Sequence, residues 1–301
     1  MIRLHRRGLL QLAAAAALPM AAEAQGALLS RPIPHSGESL PVIGLGTVGA
    51  FDIGEAAGPR AACAEVVRTL VGGGGKLIDT APSYGRAEAV VGDLVAATGL
   101  GGRVFLATKL EEYDRRSGPD SLRASLRRLR VDRLDLMQLH NVDDPNQDLG
   151  MLREWKAQGL CRYYGITTSY RGAFPAVEAV LRREKPDFLQ VNYSLGDRQA
   201  EQRVIPAAAA AGAAVLTDLP FGRNRLFAAV RGRQLPDWAQ EFAASWGQFF
   251  LKYLIGNPAV TAVIPGTASA AHMADNLGAG RGRLPDEAER RRMVEFFAAL
   301  G

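Results

Sequence analysis

Metal-binding residues are scarce in this sequence. The 301 residues include two cysteines and four histidines, and no group of them with acids has the spacing of a metal site. A metal-dependent barrel hydrolase is therefore disfavoured for want of ligands. Because Cys63 lies in a predicted helix and Cys161 begins a predicted strand, we interpret both as small buried apolar residues; at most one disulfide is possible.

A strong excess of one charge is also absent. The formal net charge is +5, and part of it comes from Arg3, Arg6 and Arg7 within the first 24 residues. No dense basic run with interleaved aromatic residues occurs, so we expect no nucleic-acid partner.

No apolar run is long enough for a permanent membrane anchor; the run Leu9–Met20 is the nearest to one. It follows a basic start and precedes Ala22-Glu23-Ala24, which fits a signal-peptide cleavage site. Arg6–Arg7 followed by Gly8–Gln11 resembles a twin-arginine signal. We expect residues 1–24 to direct export of the folded protein, with its cofactor already loaded, to the periplasm or beyond. The alternatives are an ordinary secretory signal and an N-terminal helix that is never cleaved. If the signal is not used, we expect a cytoplasmic protein.

From residue 41 onward, short apolar runs alternate with segments of helical spacing. Eight runs predict strands: Val42–Gly46, Leu77–Ala81, Val104–Lys109, Leu134–His140, Tyr163–Thr168, Phe188–Tyr193, Ala214–Leu219 and Val260–Ile264. The helical segments include Arg60–Val71, Glu88–Ala97, Pro119–Leu129, Leu149–Gln158, Gly172–Arg183, Glu201–Ala211 and Pro236–Ile255. Eight such units predict an α/β chain with one domain, residues 25–301, folded as a (β/α)₈ barrel; an open doubly wound sheet is the alternative. The turn signal Ser36-Gly37 predicts a short hairpin before the barrel.

Chemically useful side chains stand at the ends of three neighbouring predicted strands. The second strand ends at Asp79, with Tyr84 in the following loop; the third ends at Lys109 and the fourth at His140. Strand ends in a parallel barrel face one mouth, so these four groups can converge. A phenol has an ordinary pKa of about 10 and needs a nearby cation to act as an acid near neutral pH. Taken singly, each residue also has a structural interpretation, such as a helix cap or a solvated charge.

The segments LIDTAPSYG, FLATK and LDLMQLH, in that order, resemble the aldo-keto reductase family. The likeness extends from GLGT at Gly44–Thr47 to IPGT at Ile264–Thr267. It implies reduction of an aldehyde or ketone by a nicotinamide cofactor. Tyr84 would then protonate the carbonyl oxygen, Lys109 would lower the pKa of the phenol, Asp79 would pair with the ammonium group, and His140 would orient the carbonyl through a hydrogen bond.

The resemblance also implies residues that hold the nicotinamide. Gln190 matches the family glutamine that binds the carboxamide. Thr167 and Thr168 stand where the family usually has a serine and an asparagine, so part of that contact is changed. The aromatic residue that usually stacks on the nicotinamide is missing, and Asp218 and Leu219 stand there instead.

The last strand-to-helix turn is expected to receive the adenosine end of the cofactor. Thr267, near a helix start, is the candidate for phosphate, and Asn276, with Asp275 beside it, for adenine. Members that prefer NADPH often carry cations here, where this chain has Gly266 and His272. We expect NADPH and leave NADH open; an ordinary capped helix is the structural alternative.

Loops near the predicted barrel mouth would set the substrate, which the sequence does not identify beyond a small carbonyl compound. They include residues near Phe51, Asp143–Asp144 and Phe221–Pro236. Within the last of these, Arg223 and Arg225 are either pyrophosphate ligands or solvated charges.

Two other dehydrogenase signatures do not fit. Gly44–Gly49 matches G-x-G-x-x-G, but no helix opens directly after it, as a dinucleotide fingerprint requires. A Tyr-x-x-x-Lys pair is absent because Glu88 stands four residues after Tyr84. The sequence thus predicts a monomeric carbonyl reductase; a cofactor-binding regulatory or partner subunit with little turnover is the alternative.

Overall fold

Eight parallel strands form the centre of the computed structural model, which describes residues 26–111 and 116–300. The strands are β3 (Leu45–Gly46), β4 (Leu77–Asp79), β5 (Phe105–Leu110), β6 (Leu134–Leu139), β7 (Cys161–Thr168), β8 (Phe188–Asn192), β9 (Ala214–Asp218) and β10 (Ala262–Val263). Each pairs with its neighbours in chain order. Parallel bridges from Ile43 to Val263 and from Gly46 to Gly266 join the first strand to the last. The predicted (β/α)₈ barrel is confirmed.

The closing seam of the barrel depends on glycine. A Cβ atom on Gly46 would lie 2.8 Å from the carbonyl oxygen of Ile264, closer than side chains pack. A larger residue would therefore push β3 away from the chain beyond β10 and open the mouth of the barrel.

Twelve α-helices occur in the described parts of the chain. They are α1 (Ala57–Gly72), α2 (Ala87–Thr98), α3 (Gly118–Leu129), α4 (Gly150–Ala157), α5 (Phe174–Glu184), α6 (Gln199–Gln202), α7 (Val204–Ala211), α8 (Arg225–Ala229), α9 (Asp237–Gln240), α10 (Trp246–Ile255), α11 (Ala270–Ala279) and α12 (Glu287–Ala298). Each of the seven predicted helical segments contains at least one of these helices.

Two predicted helices are each broken into two. Glu201–Ala211 is interrupted at Arg203, whose φ of −132° and ψ of −80° are not helical. Pro236–Ile255 is interrupted before Ser245, whose hydroxyl accepts a hydrogen bond from the backbone of Gln248 and begins a new helix. Backbone geometry at Arg203 and capping at Ser245 therefore override the helical spacing of the sequence.

The predicted N-terminal hairpin is also confirmed. Strands β1 (Ser30–Pro32) and β2 (Ser39–Pro41) pair antiparallel around the Ser36-Gly37 turn. Its Ile33 and Leu40 are fully buried and share one cluster with side chains of the barrel strands, such as Phe105 and Phe188. The hairpin thus packs its apolar residues with those of the barrel interior, and the strand ends at the opposite mouth carry the polar side chains.

Both cysteines are free and buried, as predicted. Cys63 lies in α1 and Cys161 is the first residue of β7. Burial raises the pKa of both thiols, that of Cys161 to about 12, so neither is a ready nucleophile.

The predicted export signal, residues 1–24, lies outside the described residues. Within residues 26–111 and 116–300, none of the helices combines the length and apolar character needed to cross a bilayer. The same residues contain no group of three or more histidines, cysteines and acids placed to hold a metal ion.

Candidate active site

A cavity of about 470 Å³ opens at the carboxyl ends of the barrel strands. Its walls include eight of the predicted site residues: Asp79, Tyr84, Lys109, His140, Thr167, Thr168, Gln190 and Arg223. Its volume is that of a small-molecule site. Strand ends that are far apart in sequence therefore meet here, as the topology predicts.

The Lys109 ammonium group is the buried centre of the site. Its Nζ lies 2.7 Å from Asp79 Oδ2 and donates to the Thr80 carbonyl oxygen at 2.8 Å. Burial alone would lower the pKa of Lys109, but the negative charge of Asp79 is the main cause that outweighs it, and the pKa is raised. The side chain is therefore a permanent cation.

The Tyr84 phenol lies next to this cation, with its ring centroid 4.9 Å from Lys109 Nζ. The pKa of Tyr84 is raised to about 12. Burial is the largest cause; Lys109 acts to lower the pKa, whereas the carboxylates of Asp79 and Asp218 act to raise it. Lys109 therefore acts on the pKa of Tyr84 in the predicted direction, but in this structure burial and the two carboxylates outweigh one ammonium group. The phenol is protonated at neutral pH.

His140 lies on the other side of the phenol. The two rings are 6.2 Å apart and nearly perpendicular, at 77°. His140 Nδ1 lies 2.6 Å from Glu111 Oε2, and Glu111 also accepts hydrogen bonds from the backbone and hydroxyl of Ser83. Glu111, which the sequence analysis did not single out, thus joins the predicted group.

Two glutamines form a second layer beneath the ion pair. Gln138 Nε2 lies 2.9 Å from Gln190 Oε1 and 3.3 Å from Asp79 Oδ1. Gln190 Nε2 in turn lies 3.3 Å from Asp79 Oδ2 and 3.4 Å from Asp218 Oδ2. Gln190 therefore lines the cavity as predicted, but in this structure its amide also fixes the orientation of Asp79.

The two predicted threonines are both engaged in loop contacts. The Thr167 hydroxyl accepts from the backbone of Asn141, and the Thr168 hydroxyl exchanges hydrogen bonds with the backbone of Tyr170. They fix the loops after β6 and β7, so both hydroxyls are already engaged within the protein.

Two oxygens without partners mark where a ligand amide fits. Asn192 Oδ1 and Asp218 Oδ1 are buried without any hydrogen bond from the described residues, and both side chains line the cavity. The two residues are paired in register across β8 and β9. A primary amide offers two N–H donors, so the nicotinamide carboxamide suits these acceptors. These two acceptors of the cavity therefore fit the implied cofactor.

The backbone after β9 is strained at the cavity wall. Leu219, Arg223 and Asn224 have φ values of 46°, 54° and 67°, in the left-handed region. Side chains other than glycine pay a cost there, and such strain is concentrated at functional sites. The same turn brings Phe221 and the exposed Arg223 to the cavity, whereas Arg225 starts α8 and donates to the Gly222 carbonyl.

The predicted adenosine residues lie beyond the cavity, along α11. The Thr267 hydroxyl accepts from the backbone of Ser269, which caps the helix. Asp275 accepts from Ser245 and Gln248 at 2.7 and 2.8 Å, so it also ties α11 to α10. His272 is exposed, and Asn276 is buried.

Strand periodicity contained a signal for two of the residues that the sequence analysis missed. Gln138 and Glu111 each lie two residues from a predicted catalytic residue, His140 and Lys109 respectively, and alternate residues of a strand face the same side. Nothing in the sequence, in contrast, indicated that an oxygen of Asp218 would be left without a partner.

Comparison with known proteins agrees with this geometry. A model of the aldo/keto reductase family matches residues 42–291. Methylglyoxal reductase YeaE of Escherichia coli is 30% identical over 256 residues, which cover 81% of this chain and 87% of that protein. The structure of an aldo-keto reductase from Klebsiella pneumoniae in complex with NADPH has a TM-score of 0.74 at 25% identity, covering 90% of this chain and 96% of that chain. A Klebsiella pneumoniae aldo/keto reductase with NADP and acetate has a TM-score of 0.73 at 26% identity, covering 87% and 93%. With the predicted strand-end residues gathered in one cavity and the family match spanning most of its length, this chain belongs to the aldo/keto reductase family.

Proposed function

We propose that this protein reduces aldehydes or ketones with a hydride from NADPH, and that Tyr84 is the general acid. That the chain is a nicotinamide-dependent oxidoreductase follows from its family, from the methylglyoxal reductase relative and from the NADPH-complexed structure. The assignment of steps to individual residues is our proposal.

One observation carries the assignment. A buried ammonium group, Lys109, contacts both a carboxylate, Asp79, and the ring of a phenol, Tyr84, at the wall of a cavity. An ion pair buried this deeply is costly unless each charge has a partner, and here each has one. The arrangement serves to stabilise a phenolate that forms during a reaction.

The steps at this chain's residues follow from the charges. When bound, the nicotinamide supplies the hydride that reduces the carbonyl carbon. The protonated Tyr84, whose pKa is about 12, donates its hydroxyl proton to the carbonyl oxygen and becomes a phenolate beside Lys109. Asp79 keeps Lys109 in place, and solvent later returns the proton to Tyr84. The product is an alcohol.

The chain's own residues also suggest how the cofactor is held. Asn192 and Asp218 offer free oxygens to a carboxamide, and Arg223 offers an exposed cation at the cavity wall. We propose that Thr267 and the start of α11 receive phosphate and that Asn276 contacts adenine. Fluorescence titration with NADPH and then NADH measures which cofactor binds more tightly.

Replacement of Tyr84 by phenylalanine tests the proposed acid. We expect Tyr84→Phe to bind NADPH as the wild type does and to lose about 10²- to 10⁴-fold in kcat, the usual contribution of a positioned acid. The exposed Tyr170 is the matched control, since Tyr170→Phe removes a hydroxyl near the same mouth without touching Lys109. The panel of aldehydes and ketones includes methylglyoxal because a relative is named for it.

Two results would count against the proposal. Equal turnover of Tyr84→Phe and wild type would remove Tyr84 from the mechanism. Tight NADPH binding by the wild type with no turnover across the panel would favour a regulatory or partner subunit instead.

We also propose export by the twin-arginine route, with a monomeric mature protein. The support is the Arg6–Arg7 motif and the apolar run that follows it. Cell fractionation of the wild type and of the Arg6→Lys, Arg7→Lys double variant tests the route, and retention of the variant in the cytoplasm is expected. Light scattering on the exported protein tests the monomer.

A further inference from the structure

The Glu111 carboxylate is held at both oxygens. Oε1 accepts from the Ser83 backbone at 3.1 Å and from the Ser83 hydroxyl at 2.6 Å, while Oε2 lies 2.6 Å from His140 Nδ1. Burial acts to raise the pKa of Glu111, but the hydrogen bonds from His140 and Ser83 outweigh it and lower the pKa to about 2. Glu111 is therefore ionised at neutral pH.

An ionised carboxylate accepts hydrogen bonds and donates none. The proton in the contact with Glu111 must therefore sit on His140 Nδ1. A neutral imidazole carries only one ring proton, so its other nitrogen, Nε2, is then an acceptor. His140 lines the cavity with Nδ1 turned to Glu111, which leaves Nε2 for a ligand. A carbonyl oxygen is itself an acceptor, so the neutral ring cannot donate to it.

We propose that Glu111 is a positioning residue that fixes the proton of His140 on Nδ1, so that His140 orients a substrate carbonyl only as the doubly protonated imidazolium. The inference rests on the proposed carbonyl reduction. In the reaction Nε2–H donates a hydrogen bond to the carbonyl oxygen and keeps its proton, while the transferred proton still comes from the Tyr84 hydroxyl. The consequence is that carbonyl reduction requires a proton on both nitrogens of His140.

The cavity holds other ionisable groups, including the exposed Arg223 at its wall. Glu111, from the end of β5, and Tyr84, from the loop after β4, contact His140 directly. Lys109 and Asp79 form their own ion pair behind Tyr84. Tyr84 titrates well above neutral pH, so a loss of activity near neutrality does not come from it. Asp218, the remaining carboxyl group of the cavity, requires its own control.

The decisive variant is Glu111→Gln, which keeps the shape of the side chain and removes its charge. The Ser83 backbone N–H still needs an acceptor, so the amide oxygen stays with Ser83 and the amide N–H₂ faces His140 Nδ1. A donor at Nδ1 forces the ring proton onto Nε2. The variant therefore converts the neutral ring into a donor toward the cavity.

The first measurement is nitrogen-15 NMR of the histidine rings in the protein without cofactor, with the signal of His140 assigned from a His140→Asn variant. For the neutral ring we expect the Nδ1–H tautomer in the wild type and the Nε2–H tautomer in Glu111→Gln. This readout needs no turnover, so it stands even if the protein reduces none of the carbonyls tested.

The second measurement is kcat/KM for carbonyl reduction from about pH 5 to about pH 9. If the reaction requires a protonated group, kcat/KM falls about tenfold for each pH unit above the pKa of that group. We expect this fall in the wild type and in Asp218→Asn, and a flat profile in Glu111→Gln. A fall that disappears in Asp218→Asn and persists in Glu111→Gln would assign it to Asp218 and overturn the proposal.

A wild-type neutral ring in the Nε2–H tautomer would overturn it outright, whatever the kinetics. So would a Glu111→Gln protein with the wild-type tautomer and profile. If the tautomers are as expected and no carbonyl is reduced, the placement of the ring proton by Glu111 is upheld and the proposed function is the part that fails.

Discussion

The carboxyl group of Asp218 makes a pH-dependent contribution to stability that a single substitution can isolate. Its Oδ1 is buried without a partner, and its Oδ2 has a long contact with Gln190 at 3.4 Å. Burial, followed by the like charge of Asp79, raises the pKa of Asp218 to about 7, although Lys109 and Gln190 act in the opposite direction. The residue as a whole is partly exposed at the cavity wall, but the oxygen that carries the cost is not.

The sign follows from comparing the folded and unfolded states. The pKa is 3.8 for the free side chain and about 7 in the folded protein, so the folded state holds this proton more tightly. Asp218 therefore does not lower the free energy of unfolding at low pH. Its destabilising effect grows as the pH rises from about 4 to about 7 and is constant above that. One pKa unit corresponds to about 1.4 kcal/mol, so the loss between pH 5 and pH 8 is about 2 to 3 kcal/mol.

The variant Asp218→Asn should not show this loss. Its amide has its own cost of burial, but that cost is the same at both pH values and cancels when the two are compared. Urea unfolding of wild type and variant without cofactor, at about pH 5 and about pH 8, gives the difference directly. We expect Asp218→Asn to gain about 2 to 3 kcal/mol relative to wild type between the two pH values.

A carboxylate with good partners provides the matched control. Asp135 accepts from Arg162 at 2.8 Å and from the backbone of Leu106 at 2.8 Å. Asp135→Asn should destabilise the protein at pH 8, since it breaks an existing ion pair. If Asp218→Asn has the same effect at both pH values, or if the two variants behave alike, the argument from an unpartnered carboxylate is refuted.

Two further predictions concern other parts of the chain. Cys63 and Cys161 should resist a thiol reagent in the native protein and react in denaturant, because both thiols are buried with raised pKa values; rapid reaction of either thiol under native conditions would contradict the described packing. Thr168→Asn introduces the amide that the resemblance to the family implies at this position, and it should tighten NADPH binding by about 2- to 10-fold, the contribution of one net hydrogen bond. Fluorescence titration measures the affinity, with Ser169→Ala as the control. Unchanged affinity would argue against a carboxamide contact at residue 168.

The barrel could be predicted from the sequence because its signal is repeated eight times. Each strand is a short apolar run, and each is followed by a segment with helical spacing, so an error in one unit leaves the pattern intact. The gathering of Asp79, Lys109 and His140 followed from topology alone, because the ends of parallel strands meet at one mouth. Prediction of the fold therefore required no knowledge of side-chain conformation.

Element ends and interruptions were harder because they depend on single local contacts. The break before α10 arises from one hydroxyl, that of Ser245, and the break at Arg203 from one non-helical residue. The net pKa of Tyr84 was out of reach of the sequence for a different reason. The effect of Lys109 on the phenol was anticipated correctly, but the extent of burial and the approach of Asp218 depend on packing that a sequence does not display.

Two carboxyl groups near the candidate catalytic residues act together on the charge of the site. Asp218 lines the cavity, and Glu111 adds a carboxylate beside His140. With Asp218 protonated and His140 as an imidazolium, the charges of Asp79, Glu111, Lys109 and His140 cancel. With Asp218 ionised and His140 neutral, the cavity is net negative, which favours a positively charged oxidised nicotinamide and leaves His140 without a donor for a carbonyl. A rise in pH through the pKa of Asp218, which is about 7, should therefore favour the oxidised cofactor.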